Sequence, residues 1–309
     1  MNDTLGKPHN SPWKDLLTLL LVTFGLSLAL QLPLVLIGLF LSGDINGLSE
    51  DTGSLYAIHP YFTYLVFMGG TLGTFLLPAY YYYRKSNQPG VLPSQGLNRV
   101  WTYVLSVLFL LAFVPLMSLV SDWNLQMTLP ESFRGIEQWM RVQEDQMTDI
   151  MSQIIMVDRV DLLLMNVLAI AVLPAIGEEF FFRGALQHIF KRIFGNTHIT
   201  IWVVAIIFSA IHMQFYGFFP RMLLGVFFGY MLLWTGNIWV PIFAHFVNNA
   251  SVVIMAFYYA RQGKTYEELS ASESFPIIVY LGSIILSIGL AYLSYQYSTK
   301  NKIYGKRMG

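Results

Sequence analysis

Three charged residues lie together inside an otherwise apolar stretch of the chain: Glu178, Glu179 and Arg183. A charged side chain at the centre of a bilayer costs roughly 2.5–3.5 kcal/mol on insertion scales. Charged groups in such a run therefore face a protein interior or a wet cavity, and by default they indicate a functional site. The chemistry that two carboxylates and a guanidinium offer is proton transfer next to a fixed charge.

The spacing of these residues predicts different roles for the two glutamates. On a helix, Glu179 and Arg183 are four residues apart, so they share a face and can pair. Glu178 is rotated by about 100° from Glu179 and can point into a different environment. One carboxylate is then neutralised, while the other is left in a low-dielectric cavity, as a general base or acid near neutral pH requires. The alternative is a structural ion-pair network with a spare protonated glutamate.

Two later apolar runs also carry polar groups. His212 follows Phe208 by four residues in one run, and Asn249 follows His245 by four residues in the other. A histidine and an asparagine on one helical face can donate two hydrogen bonds to one oxygen, as an oxyanion site requires. The alternative for each group is a polar contact between helices. Serine chemistry is disfavoured, because Ser209 has no separate base and orienting group.

The composition predicts the elements that position these residues. Of the residues, 55% are apolar and 12% are charged, and the formal net charge is zero, which is typical of a membrane protein. The sequence predicts an all-α polytopic membrane protein with about eight transmembrane helices in one bundle. The predicted spans are 15–42, 61–83, 101–121, 162–190, 199–218, 219–235, 238–260 and 275–297. A neutral chain argues against a nucleic-acid partner, and the absence of cysteine excludes disulfides and thiolate metal sites.

The distribution of basic residues predicts the orientation: an integral protein of the cell membrane, if the host is prokaryotic, with both termini cytoplasmic. Basic residues on the predicted inner side are Lys7, Lys14, Arg84, Lys85, Arg99, Lys191, Arg192, Lys300, Lys302, Lys306 and Arg307. Those on the predicted outer side are Arg134, Arg141, Arg159, Arg221, Arg261 and Lys264. The first outer loop, Gly43 to Pro60, contains none.

The long segment 122–160 has helical periodicity of its own. Its apolar residues at helical spacing are Phe133, Ile136, Met140, Met147, Met151 and Ile154. The pattern predicts an amphipathic helix that lies in the outer membrane interface. Such a helix closes the bundle as a surface element or acts as a lid over a substrate.

Two further features concern helix packing. Gly225 and Gly229 form a small-xxx-small pattern that lets two helices approach closely. Pro174 precedes Glu178 by one turn and is expected to kink its helix, which membrane helices tolerate when a neighbour satisfies the freed carbonyl.

Three motifs follow one another on successive predicted helices. They are Glu178-Glu179-x-x-x-Arg183, Phe208-x-x-x-His212 and His245-x-x-x-Asn249. This order resembles the CAAX-protease and bacteriocin-processing (CPBP or Abi) family of intramembrane proteases, which includes the enzymes that cleave prenylated CAAX proteins. The resemblance covers about 160–255.

The resemblance implies an intramembrane endopeptidase in which a Glu/His-activated water attacks a peptide carbonyl of a membrane-anchored protein or peptide. By motif position, Glu178 would be the base and His212 its partner. Glu179 and Arg183 would shape the site. The remaining pair, His245 and Asn249, would hold the oxyanion.

Alternatives remain for the metal and for the function. Members of this family are often described as metalloendopeptidases, and His212, His245 and Glu178 could supply three zinc ligands with an open fourth position. We favour a site without a cofactor. The alternative function is a catalytically silent scaffold, or an immunity or regulatory protein, of the same family. A transporter with a proton relay is disfavoured, because the chain has no internal repeat.

The sequence predicts three regions. Residues 1–155 would form an N-terminal transmembrane scaffold with an extracytoplasmic amphipathic segment. Residues 156–260 would form the catalytic core, and residues 261–309 the last transmembrane helix and a cytoplasmic tail.

Overall fold

A computed structural model describes residues 11–42, 60–86, 100–271 and 274–307 of the chain. Their secondary structure is helical, with no strand in the described ranges. The helices are α1 (Pro12–Ser42), α2 (Pro60–Thr71, Leu72–Leu76 and Leu77–Ser86 in one run), α3 (Val100–Leu125), α4 (Arg134–Ile155), α5 (Val160–Asn166, Val167–Val172, Leu173–Glu179, Phe180–Leu186 and Gln187–Phe194 in one run), α6 (Thr197–Ala210), α7 (Phe218–Thr235), α8 (Trp239–Arg261), α9 (Tyr266–Ser270) and α10 (Ile277–Arg307).

Seven of the described helices are long and apolar enough to cross a membrane: α1, α2, α3, α5, α7, α8 and α10. Large apolar side chains cover their outer faces; Leu21 and Phe24 of α1, for example, are 63% and 66% exposed. An apolar exterior is what a lipid environment requires of a helical bundle. The predicted all-α membrane bundle is confirmed.

The fifth predicted span, 199–218, is wrong in its extent. The corresponding helix, α6, has only 14 residues and ends at Ala210. The next turn is tighter than an α-helical turn, because the His212 amide donates to the Ser209 carbonyl, three residues back, at 3.3 Å. Met213 adopts a positive φ of 55°, which a continuing helix does not allow. His212 therefore lies in a turn after the helix and not within a span.

Helix α5 changes its winding on both sides of the glutamates. The segments Val167–Val172 and Phe180–Leu186 are π-helical, and the α-helical segment Leu173–Glu179 lies between them. Such π-helical turns are frequent at functional sites. The first of them ends at Val172, two residues before Pro174, where the sequence predicts a kink.

Helices α6 and α7 pack closely through the two predicted glycines. A Cβ atom at Gly225 would lie 3.1 Å from the Cβ of Ala205, and one at Gly229 would lie 2.8 Å from Ile201 Cγ2. Both distances are shorter than ordinary side-chain contacts, so these positions need glycine. The prediction of close helix packing is confirmed, and α7 is thereby fixed against the helix that leads to His212.

The predicted amphipathic helix is present as α4. Ile154 and Ile155 at its C-terminal end are buried and belong to the same apolar cluster as Tyr64 of α2. Its N-terminal half leaves Ile136 and Trp139 about half exposed, at 51% and 45%. One end of α4 is thus anchored in the bundle, and the other presents apolar groups outward, as a helix in a membrane interface does.

The orientation in the membrane stays a prediction. Of the residues behind it, Lys7, Arg99 and the stretch 43–59 lie outside the described residues. The boundaries predicted near residues 155 and 260 also stay predictions.

Candidate active site

Glu179 and Arg183 form an ion pair that is closed to solvent. Their side chains are fully buried, and Arg183 Nη1 lies 2.9 Å from Glu179 Oε1. Arg183 Nη2 also donates a hydrogen bond to the Gly225 carbonyl at 2.9 Å. Its guanidinium carbon lies 4.7 Å from the centre of the Phe208 ring, a cation–π distance. The structure thus contains the predicted pair and ties it to α6 and α7.

His245 joins this pair, a contact that the sequence did not predict. Its Nδ1 lies 3.0 Å from Glu179 Oε1, and since a carboxylate accepts, Nδ1 donates. The imidazole stacks on Phe228, with ring centres 5.0 Å apart. Its Nε2 lies 3.9 Å from Glu178 Oε2, which is longer than a direct hydrogen bond. The ring is therefore fixed by Glu179 and turned toward Glu178.

Glu178 lines a cavity of about 290 Å³. Phe208, His212, His245 and Asn249 line the same cavity. The Glu178 side chain keeps 11% of its surface exposed, whereas that of its neighbour on the chain is fully buried. The two glutamates therefore occupy different environments, as their angular separation on the helix predicts.

The bonding of His212 fixes one of its ring nitrogens. Nδ1 lies 2.8 Å from the Phe208 carbonyl, and because a carbonyl only accepts, Nδ1 carries the proton. In a neutral imidazole, Nε2 then has the free lone pair and can accept a hydrogen bond. The predicted Phe208-x-x-x-His212 motif is thus a hydrogen bond that orients the imidazole at the end of α6.

Asn249 is partly occupied by contacts between helices. Its amide nitrogen donates to the Ile170 carbonyl of α5 at 3.1 Å. Its amide oxygen accepts from the amide of Asn248 at 3.1 Å. An asparagine amide has two N–H groups, so one remains for a ligand in the cavity. The structure thus shows a polar contact between helices and leaves a donor for the predicted oxyanion contact.

Arg221 also lines the cavity, and sequence analysis missed it. It lies in the first turn of α7, where it was counted as a residue of an outer loop. Its Nη2 donates to the side-chain oxygen of Gln214 at 2.7 Å. A Cβ atom at Gly217 would lie 3.3 Å from the same Nη2, so this glycine makes room for the guanidinium. The available signal was an arginine placed at the start of a long apolar run.

The site without a metal stays a prediction. Among the described residues, no three histidine, cysteine, aspartate or glutamate side chains form a group that could hold one metal ion. Each of the two histidines has Nδ1 bonded to a protein oxygen and keeps Nε2 for another partner. His212, His245 and Glu178 line one cavity.

Comparison with known proteins gives one family match and one relative. Residues 160–251 match the family model of the Rce1-like type II CAAX prenyl endopeptidases. An uncharacterized protein, YpbD of Bacillus subtilis (strain 168), is 31% identical over 113 residues. That alignment covers 35% of this chain and 55% of the relative, so it spans about half the relative's length. No solved structure matches the chain.

The matched region contains all three motifs around the cavity. The match begins at Val160, the first residue of α5, and α5 carries the two glutamates. It ends at Ser251, two residues after Asn249 on α8. The chain is thus similar, over residues 160–251, to the Rce1-like type II CAAX prenyl endopeptidases.

Proposed function

We propose that the protein is an intramembrane endopeptidase that hydrolyses a peptide bond of a membrane-anchored protein. The observation that carries the proposal is the environment of Glu178. Its carboxylate lines a cavity together with His212 and His245. The neighbouring Glu179 is instead held in a buried ion pair with Arg183. A carboxylate that lines a confined cavity beside a histidine is suited to proton transfer near neutral pH.

In the proposed reaction, Glu178 takes a proton from a water molecule, whose oxygen attacks the carbonyl carbon of the peptide. The carbonyl oxygen becomes an oxyanion in the tetrahedral intermediate. The C–N bond then breaks, and the amine nitrogen receives the proton that Glu178 holds. The products are a new carboxyl terminus and a new amino terminus, and Glu178 returns to its starting state. General base catalysis of this kind contributes about 10²–10⁴-fold to the rate.

His212 would orient the attacking water. Its Nδ1–H is bonded to the Phe208 carbonyl, so Nε2 can accept a hydrogen bond from water. Two acceptors, Nε2 and the Glu178 carboxylate, would then hold both protons of the water and direct its oxygen lone pair at the substrate.

His245 and Asn249 would stabilise the oxyanion. His245 Nδ1 donates to Glu179, so its Nε2 can donate to an oxyanion only when the ring carries a second proton. The second N–H of Asn249 supplies the other hydrogen bond. The proposal uses no metal ion.

The function is tested by the fragments that the protein produces in its own membrane. We expect C-terminal fragments of membrane proteins in wild-type cells that are missing in Glu178→Gln cells. Glu131→Gln is the matched control, because it makes the same change on a side chain that is 89% exposed. Identical fragment patterns in wild type and Glu178→Gln, at equal protein levels, would contradict the proposal.

A further inference from the structure

The turn between α6 and α7 is held by side chains from distant parts of the chain. Residues 211–217 form this turn, which carries His212 and leads into Arg221. Asn124 of α3, which is only 2% exposed, holds the C-terminal end of the turn by hydrogen bonds. The Asn124 amide donates to the Phe215 carbonyl at 3.0 Å and accepts from the Phe219 amide at 3.0 Å. The backbone of the turn is thus fixed on the side of α3.

Helix α4 covers the same turn from the other side. Glu144 accepts a hydrogen bond from the backbone amide of Tyr216 at 3.2 Å. The guanidinium of Arg141 lies 4.7 Å from the centre of the Tyr216 ring, and the Trp139 ring lies 5.5 Å from that of Phe215. A carboxylate of α4 is thus the acceptor of the Tyr216 amide.

Glu144 differs from the other acidic residues of α4. Glu137 forms an ion pair with Arg141 at 2.7 Å, and Asp145 and Asp149 are exposed. Glu144 is partly buried and faces the bundle. Arg221, which lines the cavity together with Glu178, is a cation whose charge acts on Glu144.

We propose that Glu144 is a positioning residue, which holds the 211–217 turn and so fixes His212 and Arg221 at the cavity. The catalytic consequence rests on the proposed function; the hold on the turn does not. Amphipathic helix α4 thereby has a role beyond covering the bundle, because its Glu144 carboxylate is bonded to the segment that carries His212.

The surroundings of Glu144 predict an unusual stability effect. Burial raises the pKa of Glu144 above its ordinary range, and Asp145 of the same helix adds to this. The Tyr216 amide and Arg221 oppose the shift, and Tyr266 of α9 is also near. Because the folded-state pKa is raised, folding favours the protonated form, and stability falls as pH rises through this range. A neutral glutamine at this position should therefore not lower the thermal stability.

Hydrogen exchange tests the hold on the turn without any substrate. In detergent-solubilised full-length protein, we expect peptides covering residues 209–221 to exchange about 5-fold faster in Glu144→Gln, since a neutral acceptor replaces a charged one. Glu144→Ala, which removes the acceptor, should give roughly 10-fold or more. Asp145→Asn is the matched control on the exposed face and should leave the exchange of this segment unchanged.

The unfolding temperature separates positioning from a general loss of structure. Unfolding temperature should be equal or higher in Glu144→Gln. A lower unfolding temperature with faster exchange across the whole bundle would overturn the proposal, and so would unchanged exchange of the turn.

Turnover then tests the catalytic consequence of this proposal. Once a cleaved membrane protein is identified, kcat of Glu144→Gln should fall about 5-fold with little change in KM, because the misplaced groups act after binding. Unchanged kcat with a loosened turn would overturn the link to catalysis. If wild-type protein cleaves nothing, the proposed function fails, and the exchange experiment alone decides whether Glu144 holds the turn.

Discussion

The side-chain amide of Asn249 donates a hydrogen bond to the carbonyl of Ile170 at 3.1 Å. Ile170 lies four residues before Pro174, and proline has no N–H to offer the carbonyl at that distance. The sequence predicted that a neighbouring helix would satisfy this carbonyl, and the structure identifies the donor. Asn249 thus ties α8 to α5 about two turns before Glu178.

This relationship allows the two roles of Asn249 to be separated. Asn249→Ala should lower the unfolding temperature, because a buried carbonyl loses a donor, at a cost of about 1–3 kcal/mol. It should also lower turnover by about 10²–10³, as expected for the loss of one oxyanion donor. Adding Pro174→Ala gives the Ile170 carbonyl a backbone partner. The double variant should recover stability but not turnover.

Thermal unfolding and single-substrate kinetics on the four proteins of this cycle provide the check. Recovery of turnover together with stability would show that Asn249 acts only by placing α5, and it would remove Asn249 from the oxyanion site.

The buried ion pair should be essential for the fold. Arg183→Ala removes the arginine partner of the buried Glu179 carboxylate, and breaking a buried pair costs about 3–5 kcal/mol. We expect a marked fall in the unfolding temperature and loss of activity. Arg134→Ala removes the partner of Glu131 in an exposed pair and should change little. Equal stability of the two variants in detergent would contradict a closed site around Glu179.

The contact between α6 and α7 should depend on Gly225. An alanine there would place its Cβ 3.1 Å from the Cβ and 3.2 Å from the Cα of Ala205, so a backbone must move. Overpacking of this kind costs about 1–3 kcal/mol. Gly282→Ala on α10 is the control, since a Cβ there meets nothing within 4 Å. Unfolding temperatures of both variants provide the measurement; no effect at Gly225 would argue against this packing.

Removal of metal should leave the activity intact. Chelator-treated protein, shown to be metal-free by elemental analysis, should keep the turnover of untreated protein, because the proposed oxyanion and proton-transfer groups are protein side chains. Tightly bound zinc at one equivalent, with activity lost on its removal and regained on its return, would overturn the metal-free proposal.

The sequence predicted those features of the site that depend on helix geometry alone. The four-residue spacing of Glu179 and Arg183 places both on one helical face, and the rotation of Glu178 separates it from them. These relationships depend only on helix geometry, and the structure contains them. The same argument predicted the amphipathic helix α4.

The sequence did not predict contacts that depend on how the helices end and pack. Arg221 was assigned to an outer loop, because the end of α6 at Ala210 is not marked by glycine or proline. Glu144 meets the Tyr216 amide across 72 residues of chain, and no periodicity reports such a contact. His245 was paired with Asn249 by spacing alone, whereas its closest carboxylate is Glu179 on another helix.

The most direct test of the central claim is the turnover of purified Glu178→Gln protein in lipid vesicles. A glutamine keeps the size of the side chain but cannot take a proton from water. The account predicts that cleavage of an identified membrane-protein substrate falls by about 10²-fold or more, with an unfolding temperature and a substrate affinity close to those of wild type. Near-normal cleavage by Glu178→Gln would contradict the account and move the role of base to another group.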